Sequence, residues 1–123
     1  MQSLGLDIIE IERVRQAALR PRFARRLFTE RELGTMGRHP RRVAEEMAGK
    51  FAAKEAVVKV VGRKTFWKEI EILNDRFGKP YVVLHGLMAE LTRGRDVVVS
   101  ITHSKDFAAA VAMWASDSDD EGA

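Results

Sequence analysis

Three charged side chains stand where the sequence otherwise places apolar ones. Asp7 interrupts the apolar run 4–11, and Glu55 and Lys59 lie one turn apart on a predicted helix. At about 100° per residue, Glu55 falls on the side of that helix that carries Ala48 and should face the core. A buried carboxylate requires a cation or several hydrogen-bond donors. The same spacing also allows an ordinary surface ion pair between Glu55 and Lys59.

The two carboxylates together indicate a metal site. At apolar positions Asp7 and Glu55 would repel each other unless a cation lay between them. Mg²⁺ is the natural candidate, because it is usually held by one or two carboxylates while substrate phosphates and waters complete its octahedron. With Lys59 nearby, this pattern predicts chemistry on a pyrophosphate. The alternative for Asp7 is structural, since Asp7 followed by Glu10 also fits a helix-start capping pattern.

Outside these three residues, His103 and Ser104 are the side chains that could take part in chemistry. His103 ends an alternating strand and is followed by Ser104, so donors at this strand end could hold a phosphate. A lone His in such a place is more often structural. His103, Ser104 and Asp106 are too close in sequence for a catalytic triad, and no G-x-S-x-G, P-loop or G-x-G-x-x-G motif occurs. The chain has no cysteine, which excludes thiolate catalysis and thiolate zinc sites.

Periodicity and turn residues predict the elements that must position these side chains. The predicted order is a strand 4–11, a helical turn 13–18, a helix 23–33, a long helix 42–61 ended by Gly62, strands 66–73 and 80–84, a helix 85–92, and strands 96–103 and 107–115. Thr29 and Glu32 form a capping-box pattern, so the second helix could instead restart at Thr29. The order favours an α+β fold, with a mainly antiparallel sheet packed on a long central helix.

Length and composition fit one domain, predicted over residues 1–115 of the 123. Residues 116–123 form an acidic tail that we expect to be disordered. No apolar run is long enough for a membrane span and no signal peptide is recognisable, so we expect a cytoplasmic protein that does not bind membranes. Ten arginines stand between Arg13 and Arg42 against two glutamates. This imbalance predicts an anionic partner: a nucleic acid, a phosphorylated ligand or an acidic protein.

Four blocks of sequence carry a family resemblance. They are Gly5 to Asp7 with Arg13, Gly49 to Ala56 with Lys59, Asp75 to Pro80, and Val99 to Ser104. In content and order they resemble the 4'-phosphopantetheinyl transferases of the short bacterial type, over nearly the whole chain. The resemblance departs at Gly62 to Phe66, where family members often carry a longer loop with several glycines.

The resemblance implies transfer of 4'-phosphopantetheine from coenzyme A to a serine of an apo acyl carrier protein, with release of adenosine 3',5'-bisphosphate, in support of fatty acid biosynthesis. Asp7 and Glu55 would hold Mg²⁺ against the pyrophosphate, and Lys59 would neutralise charge on the transferring phosphate. Glu55, directly or through a metal-bound water, would accept the serine proton. The residues expected to bind coenzyme A are Lys50, Lys59, His103 and Ser104.

The resemblance also gives the arginines a partner, because acyl carrier proteins are acidic. The expected docking face consists of Arg13, Arg20, Arg22 and Arg25, with Phe23 or Met36 as an apolar anchor. The family's short branch implies a homotrimer with active sites between subunits. Two alternatives share some of these features: a basic module that binds nucleic acid, and another Mg²⁺-dependent phosphoryl or nucleotidyl transferase. The carrier-protein interpretation predicts no nucleic-acid partner.

Overall fold

The computed structural model describes residues 4–116, which form five helices and five strands. In chain order these are β1 (Leu4–Glu10), α1 (Ile11–Ala17), α2 (Pro21–Leu27), α3 (Glu30–Gly34), α4 (Pro40–Val61), β2 (Ile70–Asn74), β3 (Pro80–Leu84), α5 (Gly86–Thr92), β4 (Val97–His103) and β5 (Phe107–Trp114). The predicted acidic tail lies, apart from Ser116, outside the described residues. Within residues 4–116 no helix has both the length and the apolar character needed to cross a bilayer.

The strands form two antiparallel sheets, which confirms the predicted α+β class. One sheet has the order β1-β5-β4, and the other is the β2-β3 hairpin. The register pairs Asp7 with Ala110, and Ala110 with Ile101 on the far side. Asp7 is therefore a strand residue, and the alternative that it caps a helix is wrong, since α1 begins only after Glu10.

Helix α4 is the element on which the sheets pack. Pro40 occupies its first turn, where the missing N–H costs nothing, and Gly62 ends it at a φ of 85° that favours glycine. Small side chains line the side that meets the sheets, so strands and helix pack closely. The main core consists of Ala52, Ala53, Ala56, Val57 and Val60 of α4, Met88 of α5, and Ile70, Ile72, Val97, Val99, Ala110 and Ala112 of the strands. A second core lies under α1 to α3.

The chain between Arg20 and Gly34 forms two helices, which confirms the alternative restart at Thr29 and not a single helix over 23–33. The Thr29 hydroxyl accepts a hydrogen bond from the Glu32 amide at 3.2 Å, and the Glu32 carboxylate accepts one from the Thr29 amide at 2.8 Å. This reciprocal capping box stops α2 at Leu27 and starts α3.

The prediction of a strand from Phe66 was wrong in its first half. Trp67–Glu69 form a turn of 3₁₀-helix, and the strand begins only at Ile70. The partner strand β3 ends at Leu84, so residues before Ile70 have no strand to pair with. Glu69 instead accepts hydrogen bonds from two amides in the first turn of α5.

Candidate active site

Strand β1 and helix α4 meet, and a glycine allows it. A Cβ built on Gly5 would lie 2.1 Å from the carbonyl oxygen of Ala56 and 3.0 Å from the Cβ of Lys59. No larger residue fits this gap without moving the strand from the helix. Because side chains alternate along a strand, Gly5 and Asp7 both face α4. The close approach thereby delivers the Asp7 carboxylate to the helix that carries Glu55.

Asp7, Glu55 and Lys59 form one charged cluster. Burial raises the pKa of Glu55, and the negative charge of Asp7 raises it further, whereas Lys64 and Lys59 oppose the shift. Lys59 donates from Nζ to the Leu6 carbonyl at 2.7 Å and lies 3.4 Å from the Asp7 carboxylate. Within residues 4–116 Lys59 forms its ion pair with Asp7 and none with Glu55, so the alternative of a simple Glu55–Lys59 pair is wrong.

The donor set of this cluster suits a hard cation. The negative charge of Asp7 acts on Glu55, and Lys59 forms an ion pair with Asp7 while the pKa of Glu55 stays raised. In the described part of the chain no group of three or more His, Cys, Asp or Glu side chains could hold a metal. Mg²⁺ needs only one or two protein carboxylates beside substrate oxygens, which is the number that Asp7 and Glu55 supply.

A second constellation lies at the other end of α4. A cleft of about 570 Å³ is lined by Thr35, Arg42, Glu45, Glu46, Gly49, Lys50, Asn74, Gly78, Pro80, Ile101 and His103. His103 Nδ1 lies 3.2 Å from the Glu45 carboxylate. Ser104 follows in the exposed β4–β5 turn, where its hydroxyl accepts a hydrogen bond from the Phe107 amide at 3.3 Å. Glu45 precedes Glu55 by ten residues, or about 15 Å along the helix axis, so one chain does not bring the cleft and the carboxylate cluster together.

Lys50 has a structural role that its sequence position did not reveal. Its ammonium donates to the Ile72 carbonyl at 2.6 Å and to the Asn74 side chain at 3.0 Å. Burial lowers its pKa. Lys50 thus links α4 to β2 through hydrogen bonds at the wall of the cleft. A contact between Lys50 and coenzyme A would use an ammonium that already has two hydrogen-bond partners.

The arginine-rich segment contains a groove of about 520 Å³. Its lining consists of Arg20, Pro21, Arg22, Phe23, Arg26, Leu27 and Trp67. Arg20, Arg22 and Phe23 of the predicted docking face are therefore together, whereas Arg13 and Arg25 are exposed outside this lining. Met36 is 1% exposed and belongs to the core, so its prediction as an alternative anchor was wrong. Sequence reasoning missed Arg26 and Trp67, which reach the groove only through the tertiary fold.

The residue next to Glu55 forms a buried ion pair that the sequence analysis also missed. Lys54 and Glu32 are both fully buried, with Nζ and Oε1 2.9 Å apart. Nζ also donates to the carbonyls of Leu27 at 2.7 Å and Trp67 at 3.1 Å, so each of its three N–H groups has an acceptor. The sequence signal was the position of Lys54 among Ala52, Ala53, Ala56 and Val57, which are all buried.

Comparisons with known proteins identify the family of this chain. The chain matches the 4'-phosphopantetheinyl transferase superfamily over residues 3–112. It is 44% identical to the holo-[acyl-carrier-protein] synthase of Alkaliphilus metalliredigens, covering 92% of this chain and 98% of that protein. The Moorella thermoacetica protein of the same name is 38% identical, covering 99% of this chain and all of that protein.

Solved structures extend the agreement to three dimensions. A holo-(acyl-carrier-protein) synthase from Bacillus anthracis, solved in complex with CoA (3',5'-ADP), superposes with a TM-score of 0.80 at 35% identity over 94% of this chain and 96% of that one. The acyl carrier protein synthase of Mycobacterium tuberculosis gives a TM-score of 0.78 at 30% identity over 94% and 97% of the two chains. The chain therefore belongs to the 4'-phosphopantetheinyl transferase superfamily and, within it, to the holo-[acyl-carrier-protein] synthase family.

Proposed function

We propose that this protein transfers 4'-phosphopantetheine from coenzyme A to a serine of an apo acyl carrier protein, in a Mg²⁺-dependent reaction that supports fatty acid biosynthesis. The observation that carries the proposal is the meeting of Asp7 and Glu55 across the β1–α4 contact, in a chain whose relatives are named for this reaction. A relative solved with coenzyme A supports the choice of donor.

Asp7, Glu55 and Lys59 have different roles in the proposed reaction. Asp7 and Glu55 would hold the metal, which when bound neutralises pyrophosphate charge and polarises the phosphorus under attack. Lys59, anchored on the Leu6 carbonyl, keeps an ammonium at the edge of the same cluster. The raised pKa of Glu55 brings its carboxylate closer to the range in which it can accept the proton of the attacking serine.

We propose that coenzyme A binds both at the cleft that contains His103 and at the carboxylate cluster. His103 stands at the cleft with Arg42, Ser104 follows His103, and Lys50 adds charge from the wall. Because this cleft is displaced along α4 from Glu55, we place each complete active site between two copies of the chain.

An uncovered apolar surface supports that assembly as a homotrimer. The outer face of the β1-β5-β4 sheet exposes Leu4, Leu6, Ile8, Val98 and Met113, each between 46% and 65%. The register places Met113 between Leu4 and Val98, so three of these side chains form one row across the sheet. Contiguous apolar surface of this kind is typical of an interface between subunits. Sedimentation equilibrium should give three times the chain mass, and a monomer at assay concentration would contradict the assembly.

The groove over α2 is the proposed docking site for the carrier protein. Arg20, Arg22 and Arg26 surround Phe23 and Trp67 there, which combines positive charge with an apolar centre. Arg22→Glu should raise the KM for the carrier and leave the KM for coenzyme A unchanged. Arg93→Asp at the end of α5 changes the net charge equally, and Asp tolerates the left-handed backbone at Arg93, so it serves as control. Equal effects of the two variants would refute a specific groove.

The direct test incubates the protein with coenzyme A, Mg²⁺ and an apo acyl carrier protein, and follows the carrier by mass spectrometry. We expect a carrier serine to gain phosphopantetheine, and the gain to disappear with EDTA and return with Mg²⁺. If no adduct forms with carriers from several bacteria, the proposed function is wrong. A transfer that proceeds fully in EDTA would remove the metal from the proposal and leave the reaction standing.

A further inference from the structure

The short loop after α4 holds a lysine on an aromatic support. Gly62 turns the chain away from the helix, and Lys64 then places its Nζ 4.5 Å from the centroid of the Trp67 ring. Trp67 packs edge-on against Phe51, with ring centroids 5.3 Å apart. Phe51 lies one helical turn before Glu55 on the same side of α4. The stack Lys64–Trp67–Phe51 thus brings a cation to the side of the helix that carries the Glu55 carboxylate.

Lys64 differs from Lys59 in what it already binds. The ammonium of Lys59 is engaged by the Leu6 carbonyl and the Asp7 carboxylate. Across residues 4–116 Lys64 has no ion pair with a carboxylate, and its recorded partner is the face of an indole ring. A cation–π contact fixes the direction of an ammonium and leaves most of its N–H groups available.

The position of Trp67 indicates which part of the substrate this ammonium meets. Trp67 is also a wall of the groove assigned to the carrier protein. The Lys64 ammonium, 4.5 Å from the Trp67 ring, therefore lies next to a wall of the groove by which the carrier serine would approach. The adenosine end of coenzyme A belongs, in the proposed function, to the cleft with His103. The group that passes between Glu55 and the groove is the phosphate next to pantetheine.

We propose that Lys64 is a binding residue for the phosphate on the pantetheine side of the coenzyme A pyrophosphate, held in place by Trp67. This inference rests on the proposed function and deepens it. The ammonium donates to a non-bridging oxygen of the phosphate that the serine attacks. It takes no proton and forms no bond in the transfer.

Two ligands separate this contact from the rest of the site. Coenzyme A contains the pantetheine-side phosphate, whereas adenosine 3',5'-bisphosphate lacks it. We would titrate both into wild type and Lys64→Gln by isothermal calorimetry with Mg²⁺ present. A charge-assisted hydrogen bond should make coenzyme A bind roughly tenfold more weakly to the variant. Adenosine 3',5'-bisphosphate should bind both proteins equally.

Two further variants control the experiment. Arg63→Gln removes the neighbouring exposed cation, and we expect it to bind both ligands as wild type does. Lys64→Arg keeps the charge and should recover most of the coenzyme A affinity. Because Lys64 is exposed, all three proteins should fold, which their thermal midpoints would verify.

Three results would overturn the inference. Lys64→Gln could bind coenzyme A as tightly as wild type, or lose affinity equally for both ligands, which would place the ammonium elsewhere on the nucleotide. It could also raise only the KM for the carrier, in which case Lys64 faces the carrier's carboxylates. If wild type itself bound neither ligand, the proposed function would fail first, and that outcome is distinguishable because it requires no variant.

Discussion

Lys54 and Glu55 are neighbours on the same helix, but they differ in how far hydrogen bonds and ion pairs compensate their charges. Lys54 is fully buried, and three oxygens from α2, α3 and the 3₁₀ turn accept its three hydrogen bonds. Glu55 lies half-buried beside a second carboxylate, with a raised pKa and no ion pair within residues 4–116. A charge with complete partners fixes structure, whereas a charge with incomplete partners is available to a ligand.

A third charged residue extends the comparison to carboxylates alone. Glu71 is as buried as a core residue, yet Thr29 donates to it at 2.6 Å and Arg31 at 3.1 Å, and His85 lies at 3.0 Å. Hydrogen bonds from Arg31, aided by Thr29 and His85, lower the pKa of Glu71 to about 2 against the effect of burial. Burial raises the pKa of Glu55, which accepts no side-chain hydrogen bond within residues 4–116 that would offset it. Donors, more than depth, decide which carboxylate remains reactive.

The largest loss of stability is expected when the buried charge of Lys54 is removed. Lys54→Met removes the ammonium and leaves the Glu32 charge buried without its cation, which should cost about 3–5 kcal/mol of unfolding free energy. Urea unfolding measures it, with the exposed Lys68→Met as the matched control. A loss below about 1 kcal/mol, as for a surface pair, would mean that Lys54 is not a structural centre.

A smaller effect is expected at the contact that brings the two carboxylates together. Gly5→Ala forces a Cβ against the backbone of Ala56, so β1 must shift. We expect a loss of about 1–3 kcal/mol in stability. At temperatures where the variant is folded, half-maximal transfer should need more Mg²⁺. Gly34→Ala meets no atom within 4 Å and serves as control. If Gly5→Ala needs no more Mg²⁺ than wild type, the β1–α4 contact does not position the metal ligands.

The smallest effect is a pH dependence of opposite sign at the two glutamates. The pKa of Glu71 falls from 4.5 to about 2 on folding, so its ionised form stabilises the fold above pH 4.5 and this stabilisation is lost between pH 4.5 and 2. Glu71→Gln should therefore lose less stability than wild type in that window. The pKa of Glu55 rises, so Glu55→Gln should gain relative stability as the pH increases above 4.5. Urea unfolding at pH 7, 4.5 and 3 tests both, and equal slopes for all three proteins would contradict the comparison.

Local patterns in the sequence predicted most elements but not their contacts. The long helix was expected from Arg42 and begins at Pro40, and the hairpins were expected from their turn residues. The 3₁₀ turn at Trp67 could not be predicted, because it depends on the length of β3. The site was predicted as two carboxylates without proof that they meet. Lys54, written beside Glu55 in the same sequence block, gave no local sign that Glu32 would be its partner.

The most direct test of the account compares Glu55→Gln with wild type for transfer of phosphopantetheine, at equal folded fractions. The account predicts that the initial rate falls at least about a hundredfold, because the substituted amide cannot hold a metal as a carboxylate does or accept the serine proton. It also predicts a thermal midpoint at or above that of wild type, since an incompletely compensated charge has been removed. A variant that transfers at the wild-type rate, or unfolds as Lys54→Met does, would show that Glu55 serves the fold and not the chemistry.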